Sequence, residues 1–318
     1  MQRSVILMPN WIGDFVLALS VVLHKARVEN TDITLLAPPA FFPLCTMLCA
    51  LPVLPYKRKT REEFRSTLKA VRGGRFDKMY ILPPSFSSAW CAFRSAIPKR
   101  RGISHELRRI LLTEALPASL RDTHQHITYE YSLVLETDYN PPQYGEPVAI
   151  DMRRGEYADA VILCPGAQYG PAKKWPWFGE LIEKLSEPRI VLLGGPEDTQ
   201  AGNMVEASAP GRVENLIGKT TIAQAAGIIA AARLVISNDS GLMHLAGFLG
   251  TPVVGIFGST TPVWTAPLGK KTVCAKIHCD CSPCFKRTCK YGHYHCLKNL
   301  SPDFVVSAAE HVVKKKNY

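Results

Sequence analysis

The segment Ser237–His244 combines hydroxyl, amide, carboxylate and imidazole side chains with a glycine. It lies between two apolar runs, Leu234–Ile236 and Val253–Phe257, which are typical of buried strands. A strand that ends in such residues and turns into a helix makes an anion site, because the helix N-terminus offers free N–H groups and a favourable dipole. Asp239 or Ser240 could instead act only as a helix cap. The segment alone leaves both interpretations open.

A second loop, Cys164–Pro176, contains glycines, two lysines and aromatic residues after the apolar run Val161–Cys164. At a strand-to-helix junction this composition suits contact with a phosphate. The loop does not match the P-loop pattern G-x-x-x-x-G-K-[ST], because Lys173 follows Ala172 and no Ser or Thr comes next. A P-loop is therefore excluded.

A third loop, Met8–Asp14, follows the N-terminal apolar run. Gly13 permits a tight turn at the strand end, and Asp14 stands at or near the start of a helix. Asp14 is either a helix cap or a carboxylate that can act as a general base. The loop lacks the G-x-G-x-x-G pattern, so a dinucleotide site of that type is unsupported.

A further turn, Gly194–Asp198, follows the apolar run Ile190–Leu193 and ends in two carboxylates, Glu197 and Asp198. A carboxylate at such a position can accept hydrogen bonds from ribose hydroxyls. It can equally cap the following helix. Both roles stay open on the sequence of the turn.

The elements that position these loops alternate between strand and helix. The predicted strands are Ser4–Met8, Ile33–Ala37, Met79–Leu82, Val161–Cys164, Ile190–Leu193, Leu234–Ile236 and Val253–Phe257. The predicted helices are Asp14–Arg27, Phe178–Leu185 and Ile222–Ala232. This alternation predicts an α/β fold with parallel sheets that carry helices on both faces.

The length of 318 residues predicts about two domains, and the Pro- and Gly-containing stretch Asn140–Tyr157 is the expected linker. Ligands of open parallel sheets bind beyond the carboxyl ends of the strands. We therefore expect the loops after Met8, Cys164 and Ile236 to meet at a cleft between the two domains.

The composition limits the class of protein. A content of 47% apolar and 20% charged residues is that of a globular protein. No unbroken apolar stretch is long enough to span a bilayer, and the N-terminal apolar run is too short for a signal-peptide core. We therefore expect a cytoplasmic protein.

The net charge of +11 is concentrated in clusters. They are Lys57–Arg61, the group Arg94, Lys99, Arg100, Arg101, Arg108 and Arg109, and Lys314–Lys316. Such clusters attract nucleic acid, an anionic membrane surface or an acidic substrate, or are simply solvated.

Nucleic-acid binding is an alternative function. No known binding module is present, however, and the basic residues are not interleaved with aromatic residues that look exposed. No nucleic-acid partner is therefore expected.

Ten cysteines occur, and six of them lie between Cys274 and Cys296. Together with His278, His293 and His295 they supply enough ligands for a zinc ion. Only Cys281 and Cys284 form a C-x2-C unit, so the paired spacing of a zinc ribbon is absent. Reduced thiols that pack a loop are favoured over structural zinc at Cys279–Cys296, and no cofactor or metal is expected.

Together the loops resemble the ADP-heptose:lipopolysaccharide heptosyltransferases, family 9 of the glycosyltransferases. The resemblance rests on Pro9–Asp14, on Pro165–Pro176, and on Ser237–His244 continued by Gly258–Thr260. These motifs occur in the family's order over nearly the whole chain. The run Tyr169–Lys173 is most similar to the heptosyltransferase II branch.

The resemblance implies a GT-B fold of two Rossmann-like, doubly wound domains that face a cleft. Residues 1–150 would bind the acceptor and residues 151–318 the nucleotide sugar. It implies inverting transfer of heptose from ADP-L-glycero-D-manno-heptose to the inner core of lipopolysaccharide, with the second heptose favoured. Another heptose position or another nucleotide sugar is the alternative within the family.

The family pattern also implies roles for residues. Asp14 would deprotonate the acceptor hydroxyl, and Lys173 would pair with the diphosphate. The expected donor-binding residues are Tyr169, Gly170, Glu197 or Asp198, Asp239, Ser240, Gly241 and His244. The expected acceptor-binding residues are Arg94, Arg100, Arg101 and Arg108. The acceptor would be a lipid A that bears Kdo and heptose, which implies a peripheral protein on the inner face of the cytoplasmic membrane of a Gram-negative bacterium.

Overall fold

The computed structural model describes residues 2–29, 31–139, 155–186 and 189–314. The chain divides into two compact units, Met1–Tyr144 and Gly145–Tyr318. The predicted boundary between residues 150 and 151, and most of the predicted linker, lie outside the described residues. So do the last lysines of the C-terminal basic cluster.

Unit 1 contains a parallel six-stranded sheet of order β3-β2-β1-β4-β5-β6. The strands are β1 Arg3–Leu7, β2 Asp32–Ala37, β3 Val53–Pro55, β4 Lys78–Ile81, β5 Lys99–Ile103 and β6 Glu114–Leu116. The α-helices are Ile12–Glu29, Phe42–Leu48, Arg61–Gly73, Phe86–Arg94 and Ile127–Leu135, and short 3-10 helices span Pro39–Phe41, Glu106–Leu111 and Ala118–Leu120. The chain reverses its direction of winding between β1 and β4, so this is the Rossmann order.

Unit 2 repeats the arrangement with a parallel sheet of order β12-β11-β10-β7-β8-β9. The strands are β7 Val161–Cys164, β8 Ile190–Leu192, β9 Val213–Asn215, β10 Leu234–Asn238, β11 Val253–Ile256 and β12 Thr272–Ala275. The α-helices are Phe178–Lys184, Thr199–Ser208, Ile222–Ala231, Gly241–Phe248, Pro262–Thr265, His295–Lys298 and Pro302–Lys314, with 3-10 turns at Pro171–Lys173 and Pro196–Asp198. Winding reverses between β7 and β10.

The central strands β1, β7 and β10 are buried except for Arg3 at the start of β1, which explains their apolar runs. In unit 2, Val235 pairs with Ile162 on one side and Val253 on the other, which places the two loops of interest next to each other. All seven predicted strands and all three predicted helices are confirmed, with bounds that differ by a few residues.

Five strands were not predicted, namely β3, β5, β6, β9 and β12. They lie outside the central strands and are partly exposed, which allows polar residues in them. Strand β5, with the sequence Lys-Arg-Arg-Gly-Ile, had the appearance of a solvated basic cluster. Among the described residues, no helix is both long and apolar enough to cross a bilayer.

The helix Gly241–Phe248 packs tightly against the turn that carries Pro267 and Leu268. A Cβ added at Gly247 would lie closer to the carbonyl oxygen of Leu268 than van der Waals contact allows. A Cβ at Gly73, in the last turn of the helix Arg61–Gly73, would have no atom within 4 Å.

The two glycines therefore form a matched pair for a test of this packing. We expect Gly247→Ala to lower the free energy of unfolding by about 1–3 kcal/mol, since backbone must shift to make room. Gly73→Ala should leave it unchanged or raise it by up to about 1 kcal/mol, because alanine favours the helix. Thermal unfolding measures both, and equal midpoints for the two variants would contradict the packing described here.

Candidate active site

The loops Cys164–Pro176 and Ser237–His244 of unit 2 follow the adjacent strands β7 and β10, at the point where the winding reverses. The side-chain amide of Asn238 connects the two loops: it donates to the Pro165 carbonyl at 2.7 Å and accepts from the backbone N–H of Trp175 at 3.1 Å. Asn238 is fully buried, so these bonds are shielded from water. The reversal point of an open α/β sheet is where such folds bind ligands.

A buried carboxylate organises the site. Asp239 is 3% exposed, and its Oδ2 lies 2.6 Å from Lys173 Nζ and 2.5 Å from the Thr260 hydroxyl that donates to it. His244 Nε2 lies 3.7 Å from the other carboxylate oxygen. A buried charge is stable only when it is paired and hydrogen-bonded, so Asp239 fixes the position of Lys173. The loops after β7, β10 and β11 thus meet at one carboxylate.

A second lysine, Lys276, supports the loop that carries Thr260. Lys276 follows β12, and its Nζ donates to the Thr260 carbonyl and to Ser282 Oγ, each at 2.8 Å. Burial lowers the pKa of Lys276 from its usual value. The sequence analysis missed Lys276 because β12 was not predicted; the apolar run Thr272–Ala275 before it was the available signal.

The helix Gly241–Phe248 begins beside Asp239 without a side-chain cap. Ser240 occupies the N-cap position, but its hydroxyl makes no capping bond and lies 3.0 Å from Ser237 Oγ. The N–H groups of the first turn have no intrahelical partners. They form, with Lys173, a positively polarised surface that suits an anion, which favours the first of the two interpretations of this segment.

Tyr169 and Gly170 shape the other side of the Lys173 loop. Lys173 Nζ lies 4.8 Å from the centre of the Tyr169 ring, and the Tyr169 hydroxyl donates to the Phe285 carbonyl at 2.5 Å. Gly170 has a φ of 142°, and a Cβ there would lie 2.6 Å from the Arg287 carbonyl oxygen. Only glycine fits this backbone conformation and this close approach.

The cysteine-rich segment holds these loops in place. The N–H groups of Cys284 and Phe285 donate to the Ser259 carbonyl at 3.0 and 2.8 Å, and the Ala172 N–H donates to the Arg287 carbonyl at 3.0 Å. All ten cysteines are free thiols. In the described part of the chain, no group of three or more His, Cys, Asp or Glu side chains is placed to hold a metal ion. The segment contacts the site through these backbone groups and through the side chains of Lys276 and Ser282.

The structure separates the two carboxylates that the sequence left as alternatives. Asp198 is buried, accepts from the Gly195 N–H at 3.3 Å and packs against Gly166. Burial raises the pKa of its carboxyl group. Glu197 is exposed in the same turn. Asp198 thus holds the turn together, while Glu197 remains accessible to a ligand.

In unit 1, Asp14 lies in the first turn of the helix Ile12–Glu29, which follows β1 at the reversal point of the sheet. The hydroxyl of the buried Tyr131 donates a hydrogen bond to the Asp14 carboxylate. Burial, together with the charge of Asp14, raises the pKa of Tyr131 well above its usual value. Next to Tyr131, the carboxylate of Glu130 pairs with Arg121 Nε at 3.3 Å. Tyr131, Glu130 and Arg121 were not singled out from the sequence.

Three of the four predicted acceptor arginines hold the fold of unit 1. Arg100 Nε donates to the Leu111 carbonyl at 2.9 Å. Arg101 donates to the carbonyls of Leu133 and Val134, each at 3.1 Å. Arg108 is fully buried.

The inward direction of these three side chains leaves little of them for a ligand. Arg108 Nη1 donates to the Pro83 carbonyl at 2.6 Å, and Arg101 also lies 3.5 Å from the carboxylates of Glu114 and Glu136. The acceptor-binding role of the four arginines stays a prediction, and Arg94 is the one whose side chain is exposed.

The comparisons with known proteins agree with this geometry. Residues 64–295 match the family model "Glycosyltransferase family 9 (heptosyltransferase)". The chain belongs to glycosyltransferase family 9. It is therefore a glycosyltransferase, and its two Rossmann-like units are those of the GT-B fold.

Relatives in this family match over almost their whole length. Lipopolysaccharide heptosyltransferase 2 of Escherichia coli K12 is 29% identical, with 96% of this chain and 97% of the relative covered. The enzyme of the same name from Salmonella typhimurium is also 29% identical over 96% and 97%. The structure of E. coli ADP-heptose lps heptosyltransferase II superposes with a TM-score of 0.80 at 26% identity and covers 98% of both chains.

Substitutions at two adjacent hydroxyl residues, Ser259 and Thr260, test the hydrogen bonding of the Asp239 carboxylate in this glycosyltransferase. Thr260→Val removes the donor to buried Asp239, and we expect the free energy of unfolding to fall by about 1–3 kcal/mol. Ser259 Oγ is buried and has no hydrogen-bond partner among the described residues. Ser259→Ala should therefore leave stability unchanged or raise it. Thermal or denaturant unfolding without ligand gives both values, and a Ser259→Ala variant less stable than Thr260→Val would contradict the network.

Proposed function

We propose that this family 9 glycosyltransferase transfers heptose from ADP-L-glycero-D-manno-heptose to the inner core of lipopolysaccharide, as the second heptose. The carrying observation is the Lys173–Asp239 pair beside an uncapped helix N-terminus at the reversal point of the sheet. The relatives that match along their whole length are named lipopolysaccharide heptosyltransferase 2, which supports the sugar and the acceptor class.

The donor end of the reaction needs positive charge for a departing diphosphate. Lys173 supplies an ammonium group whose charge is shared with Asp239, and the first-turn N–H groups after Ser240 supply hydrogen bonds and the helix dipole. Asp239 and Thr260 act as positioning residues, because they hold Lys173 without needing to touch the donor. With the charge provided in this way, our scheme assigns no step to a metal ion.

The nucleoside end is proposed to meet the turn after β8. Glu197 is the better candidate for the ribose hydroxyls, because Asp198 already accepts a backbone hydrogen bond. The Glu197 carboxylate can accept two hydrogen bonds from a ribose.

The affinity for adenosine tests the assignment of Glu197. Glu197→Gln should weaken adenosine binding, and an unchanged affinity would remove Glu197 from the site.

The acceptor end is assigned to Asp14. In a single displacement the acceptor oxygen bonds to the anomeric carbon, the bond from that carbon to the diphosphate breaks, and the acceptor proton goes to the Asp14 carboxylate. This inverts the configuration at the anomeric carbon. The Tyr131 hydroxyl keeps the carboxylate oriented.

The acceptor itself is proposed to be a lipid A that carries Kdo and heptose at the inner face of the cytoplasmic membrane. Arg94 is the one arginine of the predicted set left to bind its anionic groups. Arg100, Arg101 and Arg108 would contribute indirectly to acceptor binding, because they hold the strands and turns near Arg94 in place.

The substitution Asp14→Asn tests the proposed chemistry. We expect kcat for transfer from ADP-heptose to a heptose-bearing core acceptor to fall by about 10²–10⁴-fold, since the amide cannot take the proton. The KM for ADP-heptose should stay the same, because Asp14 is assigned to the acceptor.

The exposed carboxylate of Asp138, in the same unit, provides the control. Asp138→Asn should leave kcat unchanged. An Asp14→Asn enzyme with wild-type kcat would contradict the role of this residue. Absence of transfer from ADP-heptose by the wild-type protein, with transfer from another nucleotide sugar, would contradict the proposed donor.

A further inference from the structure

Unit 1 carries a cluster of exposed apolar side chains that the proposed mechanism does not use. Of the twelve large apolar side chains exposed in the described residues, five lie between residues 86 and 110. They are Phe86, Trp90, Phe93, Leu107 and Ile110, and we call them the 86–110 surface. The helix Phe86–Arg94 and the 3-10 helix Glu106–Leu111 that carry them pack against each other. Exposed apolar residues that gather in this way mark an interaction site.

Two of these side chains, Leu107 and Ile110, are exposed because of the local helix geometry. The 3-10 helix Glu106–Leu111 has three residues per turn, so Leu107 and Ile110 lie on one face. They are 81% and 82% exposed, whereas Arg108 and Leu111 on another face are 0% and 6% exposed.

Buried Arg108 fixes this orientation. Its Nη1 donates to the Pro83 carbonyl at 2.6 Å, to the Ser85 carbonyl at 3.1 Å and to Ser88 Oγ at 3.2 Å. These groups lie at and just before the start of the helix Phe86–Arg94. The guanidinium therefore joins the 3-10 helix to that helix and keeps Leu107 and Ile110 outside.

The helix Phe86–Arg94 contributes an aromatic and cationic face. The rings of Trp90 and Phe93 stack with centres 5.8 Å apart, and the Arg94 guanidinium lies 5.5 Å from the Trp90 ring. Tryptophan and arginine of this kind, with an apolar body and a polar end, are favoured at the boundary between lipid tails and headgroups.

The charge around the surface selects the kind of partner. Residues 82–112 contain six lysine and arginine residues and one acidic residue, Glu106. Arg94, Lys99 and Arg109 among them are exposed. Apolar side chains with cationic neighbours match an anionic bilayer. Nucleic acid would use the aromatic rings but has no use for exposed aliphatic side chains such as Leu107 and Ile110.

The position of the surface in the sheet agrees with this partner. Both segments follow the carboxyl ends of neighbouring strands, β4 and β5, and Asp14 follows the carboxyl end of β1 beside them. We propose that the 86–110 surface inserts into the headgroup region of an anionic membrane. Its use in bringing a lipid-linked acceptor toward Asp14 rests on the proposed function, whereas the docking itself does not.

Vesicle binding by the full chain tests the proposal. We expect the wild-type protein to bind vesicles of phosphatidylethanolamine and phosphatidylglycerol more tightly than vesicles of phosphatidylcholine, with a loss of affinity at high salt. The double variant Leu107→Gln/Ile110→Gln should bind the anionic vesicles about tenfold more weakly or worse. Arg109→Gln should lose about fivefold on anionic vesicles and nothing on phosphatidylcholine.

The control variant Val28→Gln/Met204→Gln replaces two exposed apolar side chains that lie outside the surface. It should bind anionic vesicles like the wild type. Equal binding by the Leu107→Gln/Ile110→Gln variant, an equal loss in the control, or tighter binding of the wild type to a single-stranded oligonucleotide than to vesicles would overturn the proposal.

Transfer to a water-soluble, delipidated core acceptor separates this proposal from the proposed function. The Leu107→Gln/Ile110→Gln variant should keep wild-type kcat/KM on that acceptor and lose it on the same acceptor embedded in vesicles. If the wild type transfers no heptose but binds vesicles through the 86–110 surface, the function fails and the docking stands. Equal kcat/KM for variant and wild type on the embedded acceptor would contradict the use of the surface in catalysis.

Discussion

The buried charge of Asp239 is the constraint on which the unit 2 site depends. A carboxylate that is 3% exposed must be paired, and Lys173 and Thr260 satisfy it from two other loops. Those loops can reach it only because β7, β10 and β11 are neighbours in a parallel sheet. The cysteine-rich segment then braces the loops of Lys173 and Thr260 through backbone hydrogen bonds. One ion pair thus links the topology of the sheet to the chemistry of the site.

The same rule explains why several arginines of unit 1 are not available to a ligand. Arg108 is fully buried, and its Nη1 donates to two backbone carbonyls, so this side chain is used within the fold. Arg101 in β5 shares the carboxylates of Glu114 and Glu136. The basic sequence of this region therefore has two functions, since some of its charges hold the fold and others, such as Arg94 and Arg109, face solvent.

Much of the fold and the core of the site could be predicted from the sequence. Central strands such as β7 and β10 are continuous apolar runs, and polar loops directly after them lie at the ligand-binding edge of a parallel sheet. This reasoning singled out the three loops that carry Lys173, Asp239 and Asp14. The resemblance to the family assigned roles to these residues, and those roles stay predictions. It left Glu197 and Asp198 unresolved, because only the hydrogen bond from Gly195 and the burial of Asp198 distinguish the two carboxylates.

Other features could not be predicted, for physical reasons. Strand β5 is polar because it lies near the sheet edge, so its arginines looked solvated. The 3-10 periodicity that buries Arg108 and exposes Leu107 extends over only six residues, too few for a reliable pattern. Arg94 contacts Trp90 because the two residues are four apart in the helix Phe86–Arg94, which was not among the predicted helices.

The central claim is that Lys173, held by Asp239, binds the diphosphate of the donor. Calorimetric affinities for ADP and for adenosine, measured on the wild type and on Lys173→Met, test it most directly. A charge-assisted hydrogen bond contributes about 1.5–3 kcal/mol, so ADP affinity should fall by about ten- to a hundredfold while adenosine affinity stays the same. Lys174→Met, at the exposed neighbouring lysine, should change neither. ADP affinity that survives in Lys173→Met, or an equal loss for adenosine, would contradict the account.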